Sequence, residues 1–109
     1  MAINVKKLLR QMLKAARQEL KDEWPIVKDH AETELKGIAE GIALIERLRL
    51  EGRISQRQAR ALIKMKKNTA QIVLLTLKGL GIIAAERAIN AALKAVKDTV
   101  NEALDFKLL

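Results

Sequence analysis

No cysteine occurs in this chain, so disulfides, thiolate nucleophiles and sulfur-ligated metal sites are excluded together. Proline occurs once and glycine five times in 109 residues, which leaves few places for tight turns. A sandwich or barrel needs several turns, and strand–helix units need repeated breaks, so few connections imply long elements. Trp24 and Phe106 are the two aromatics, so the core has to be aliphatic, built from Leu, Ile, Val and Ala. There is a single histidine. No uninterrupted apolar stretch follows the N-terminal bases, so a cleavable secretory signal is not expected and a cytoplasmic location is the default.

What the chain does have is apolar residues at helical spacing. Val5, Leu9, Met12, Ala16, Leu20 and Trp24 recur every three or four positions, with Leu8 and Leu13 widening the stripe and five bases on the other side. The same spacing continues through Val27, Ala31, Leu35, Ile38, Ile42 and Ile45. Pro25 stands between the two stretches. A proline inside a helix costs about 3 kcal/mol but is tolerated in a first turn. The unbroken phase favours a kink between two nearly coaxial helices; the competing reading is a clean break, capped by Asp22, that lets the first helix fold back.

One boundary is written more clearly. Gly52 can end a helix in the left-handed conformation, and Ser55 with Gln58 three residues on forms a capping box, with Ile54 placed to pack on Ala59. Beyond it runs a long apolar stripe of Ala59, Leu62, Ala70, Val73, Leu77, Leu80, Ala84, Ala88, Ala91 and Ala95, flanked by Ile63, Leu74, Ile83, Ile89 and Leu93. Gly79 and Gly81 mark a bend, a break or a close approach of two backbones. Residues 72–85 are interrupted by Thr76, Lys78 and those glycines, short of the roughly 20 apolar residues that a membrane span needs, and read as a buried central helix. No repeat of 20–50 residues is evident.

These features predict one all-α domain over 1–109, with helices near 3–22, 26–50 and 56–104. The first two are continuous through Pro25 if the kink holds, and the third is open to a break near Gly79–Gly81. The architecture is a long helical hairpin or a kinked three-to-four-helix bundle. Two helices alone leave apolar surface bare, so self-association, as a dimer completing a four-helix bundle, is expected to cover it. Val73, Leu77, Leu80, Ala84, Ala88, Ala91 and Ala95 are the interface this predicts, and Asp98–Leu109 is expected to fray after its first residues.

The net charge of +8 is unevenly spread. Residues 1–18 carry five bases and no acid, residues 19–46 eight acids against three bases, and residues 47–67 eight bases against one acid. Opposed neighbouring segments favour antiparallel folding-back or a second copy. Arg53, Arg57, Arg60, Lys64 and Lys67 follow at spacings of four, three, four and three, and the last four fall within about 80° of a helix face. Such a stripe suits phosphates along a nucleic acid or an anionic bilayer surface, or is simply the solvated face of a long helix. The helices flanking Gly52 are too long for a helix-turn-helix reader, and neither Trp24 nor Phe106 is expected near the stripe. Lys66 falls on the apolar side and has to snorkel.

Other constellations are weak. His30 and Glu34 share a helical face, but no zinc-type His/Cys set or Glu-x-x-His accompanies them. Glu32, Glu40, Glu46 and Glu86 are candidates for interfacial carboxylates, with Glu86–Arg87 a solvent-facing pair or a buried one that sets register. Gly37 and Gly41 have a small-xxx-small spacing but form no phosphate loop, and Ser55 has no histidine nearby. No catalytic, cofactor or metal site is assigned. The expected function is a non-enzymatic helical interaction module that associates with itself or another helical protein; nucleic-acid binding through residues 53–67 is the alternative, and peripheral membrane association a third.

Overall fold

Asn4 starts the first helix by accepting the Lys7 N–H on its side-chain oxygen at 3.0 Å, and the stripe of the opening residues then runs as α1 (Val5–Leu20). In this computed structural model, which describes residues 2–77 and 79–109, α1 is followed by α2 (Trp24–Leu50), α3 (Gln56–Leu75) and α4 (Ile82–Leu104). No strand occurs among the described residues. The fold is an all-α helical bundle measuring 43 × 22 × 18 Å.

The kink expected at Pro25 is replaced by a reversal. A helix unbroken over 5–50 would run about 69 Å at about 1.5 Å per residue, well beyond the longest dimension of 43 Å. Lys21 instead adopts φ 51°, ψ −105°, and a single 3-10 turn (Lys21–Glu23) turns the chain back. Pro25 then sits in the first turn of α2, where its missing N–H is harmless, and no side chain caps that start. The hairpin is closed at its far end by Glu46, whose carboxylate accepts the N–H groups of Ala2 at 3.0 Å and Ile3 at 3.2 Å. Apolar phase survives the junction because both helices face one core, not because they share an axis.

The second connection follows its sequence. Gly52 takes φ 67°, Arg53 N–H bonds the Leu48 carbonyl at 2.8 Å and Gly52 N–H that of Arg49 at 3.1 Å, a Schellman ending. Both bonds of the Ser55–Gln58 capping box are present, and Ile54 is half-buried against the core. The long third arm is broken: Gly79 at φ 91° and Gly81 separate α3 from α4, which fold against each other antiparallel.

The result is an up-down-up-down ring in which each helix packs on its two neighbours, α1 closing it against α4, while α2 also touches α4 across the centre. Met12, Leu35, Ile38, Ile42, Leu74, Ile89, Val96 and Val100 fill the interior with less than 2% exposure. Because the Gly79–Gly81 break resets helical phase, the inner face of α4 is Ala85, Ala88, Ile89, Ala92, Leu93, Val96 and Val100, shifted from the stripe extrapolated through 84, 91 and 95. The segment expected to be a buried central helix is the end of α3, the connection and the start of α4; Ile72, Ile82 and Ile83 are exposed there, and Lys78 lies outside the described residues.

The tail is docked. Asp105 in the left-handed region ends α4, after which Phe106 and Leu108 are buried. The side-chain oxygen Oδ1 of Asn101 accepts the N–H of Leu108 and of Leu109, each at 3.0 Å. Fraying would forfeit these bonds and re-expose two large side chains. The strain at Lys21, in a region that glycine occupies freely, leads to the expectation that Lys21→Gly raises the unfolding free energy by about 1 kcal/mol in urea titrations.

Candidate functional site

The expected cationic stripe divides in the folded chain. Arg53 lies in the α2–α3 loop beside Glu51, Nη1 to Oε2 3.4 Å, with both side chains well exposed. Arg57 is exposed on the first turn of α3. Arg60, Lys64 and Lys67 line the outer seam between α3 and α4, and Lys94 and Lys97 of α4 line it from the other side. The break between α3 and α4 brings this about, folding α4 back so that Asn90, Lys94 and Lys97 lie across the seam from Arg60, Lys64 and Lys67. Five cations thus surround one open groove of about 510 Å³, completed by Asn90 and a floor of Ile63, Leu93, Leu108 and Leu109. Among the described residues, no acidic side chain lines it.

Arg60 is the anchored member. Its Nε donates to the Lys107 carbonyl at 2.9 Å and its Nη2 to Gln56 Oε1 at 3.4 Å. Its guanidinium stands 5.5 Å from the centroid of Phe106, and that of Arg49 stands 5.1 Å from the same ring. The expectation that neither aromatic approaches the stripe is therefore overturned for Phe106. The ring is buried, with both guanidiniums close to it, and is not open to a stacking base. Lys64, Lys94 and Lys97 are exposed and Lys67 is half-buried, and no ion pair among the described residues engages them.

Chemically, a groove of this kind offers positive potential without a partner of its own. Like charges on facing helices repel one another, so an anion laid between them relieves a destabilising term while forming several contacts. Ile63, Leu93 and Leu108 are more than nine-tenths buried, so the floor presents little bare apolar surface and the accessible chemistry is that of the lysines.

Residues singled out for other roles are placed elsewhere. Leu80 and Ala88, offered as interface, point into the core of this same chain; Val73, Leu77, Ala84 and Ala91 are half-buried and Ala95 is exposed. The stripe expected to need a second copy is covered largely by α1 and α2. His30 is exposed on α2 and makes no ion pair with Glu34 among the described residues. Glu46 holds the N-terminal backbone, while Glu32, Glu40 and Glu86 are exposed. Arg87 pairs with Glu19 of α1 at 3.1 Å and not with Glu86. Gly41 receives the aliphatic stem of Lys66, which would stand 2.6 Å from an added Cβ; Gly37 faces open space. The pair marks a snorkelling lysine and no close backbone approach.

Lys94 and Lys97 were missed by sequence reasoning. They follow Asn90 at spacings of four and three on the outer face of α4, a pattern visible in the sequence, but joining it to the α3 stripe requires a full break at Gly79–Gly81. Comparison with protein-family models, with curated proteins and with solved structures finds no match to this chain. Because Phe106 supports Arg60 and pins the tail beside the groove, Phe106→Ala is expected to destabilise the bundle by about 3 kcal/mol. It should also raise hydrogen exchange at Leu108 and Leu109 well before α2 opens.

Proposed function

We propose that this chain is a non-enzymatic binding module that holds an anionic polymer, with the phosphate backbone of a nucleic acid as the fitting chemistry, along the α3–α4 seam. The convergence of Arg60, Lys64, Lys67, Lys94 and Lys97 around a groove without an acid supports this reading above all. Regularly spaced phosphates match cations spaced along two facing helices, whereas a small anion would engage two or three of them at most. Binding is electrostatic and tolerant of sequence: among the described residues no aromatic lines this seam for stacking, and lysines act as point charges without reading bases.

A duplex neutralising four lysines should give a log–log dependence of affinity on salt with a slope of about −4, and each Lys→Ala change at 64, 67, 94 or 97 should lower that slope by about 1. Fluorescence anisotropy across a salt series measures both. Arg60 is left intact in this test because it supports the tail. Duplex retention unchanged in a variant with all four lysines replaced rules the site out, and equal binding to anionic vesicles but not to duplex moves the reading to a membrane surface.

A second reading, self-association, is favoured by a different observation. Ile72, Ile82 and Ile83 are 62%, 59% and 65% exposed at the α3–α4 turn, and Leu75 at 39% lies beside them. Grouped apolar side chains of this size are uncommon on a surface that contacts only water. A concentration-dependent sedimentation coefficient that Ile72→Lys with Ile82→Lys abolishes is the expected result, and a monomer throughout the micromolar range removes this reading.

A further inference from the structure

We infer that the bundle carries a second polyanion face on the side opposite the α3–α4 seam, and that it bridges two nucleic-acid segments. This rests on the reading of the first seam as a phosphate-binding groove and goes beyond it. Arg10, Lys14 and Arg17 follow one another along α1 at spacings of four and three, and with Lys28 of α2 they line a second open groove of about 370 Å³. Leu13 and Trp24 complete it, and among the described residues no acid lines it. The four cations are exposed, Trp24 is half-buried, and no ion pair among the described residues engages any of them. Glu32, one turn beyond Lys28, is exposed and lies outside the groove lining.

Topology then decides what two such grooves can do. Each helix packs on its two ring neighbours, so the α1–α2 seam and the α3–α4 seam occupy opposite sides of the ring. They are separated by the short cross-section of the bundle, which measures 22 × 18 Å. A straight duplex lying in one seam leaves the other facing away from it. The second groove therefore adds little to the affinity for that duplex and remains open to another. The acidic residues of 19–46 do not close either groove, and residues 1–18 bring five bases to α1 with no acid to offset them. One small domain with two outward polyanion faces is a cross-link.

The experiment tethers one duplex to beads, adds the full chain, and measures capture of a second, labelled duplex at fixed moderate salt. Capture is expected with the natural sequence. Arg10→Glu, Lys14→Glu and Arg17→Glu together should reduce it at least about tenfold while lowering affinity for a single duplex by less than about threefold. The corresponding glutamine variant is carried in parallel, and both are checked for helical content by circular dichroism, so that loss of fold is separated from loss of charge. Capture that survives these changes would mean that two associated copies, each using one seam, do the linking, and overturns the inference. Binding of one duplex without capture of a second overturns it as well and leaves the α3–α4 reading standing. Failure of the natural sequence to bind any duplex overturns both.

Discussion

The reversal at Lys21 is the constraint on which the rest of the molecule depends. By turning α1 back along α2, it places Leu8, Met12, Ala16 and Leu20 opposite the faces of both α2 and α4, and four aliphatic faces close on one interior. Were the first fifty residues one rod, α4 would lose its most extensive neighbour and the core would stand open along its length. The cost is a lysine in a backbone region better suited to glycine. The return is a bundle whose apolar surface is covered mostly within a single chain, held at one end by the Glu46 carboxylate on the N-terminal backbone and by the docked tail.

That closure gives the charges their arrangement. With aliphatic residues packed inside and few polar groups drawn in, nearly all charged side chains remain on the outer faces. Ion pairs among the described residues are two, Arg53–Glu51 and Arg87–Glu19, both exposed and of small energetic weight. The acidic and basic blocks of the sequence are thus not consumed in holding helices together. They persist as surface fields, and the seams where basic outer faces meet are the places where positive potential accumulates.

How much of this is legible from residues alone differs by feature. The α2–α3 turn is fully specified by Gly52, Ser55 and Gln58, because Schellman endings and capping boxes are local bonds between residues a few positions apart. The inner face of α2 is legible from its apolar spacing, since Val27, Ala31, Leu35, Ile38, Ile42 and Ile45 fall on one side of a helix. The reversal before Pro25 is not, since apolar phase continues across it and Lys21 carries no turn signature. The groove is half legible: Arg60, Lys64 and Lys67 form a visible stripe, but Lys94 and Lys97 join it only through a hairpin whose turn had to be located first. Phe106 beside Arg60 depends on a tail that folds back, which no local pattern announces.

By itself, the amino-acid order determined helix, an aliphatic core, the α2–α3 turn and a basic stripe, since each follows from spacing or from bonds within one turn. Only the tertiary structure decided the direction of α1, the split of the last long stripe into α3 and α4, the burial of the tail and the pairing of lysines across a seam. Those features depend on which faces find each other at long range. Apolar burial is non-directional, so a stripe says that a face must be covered without saying which helix will cover it.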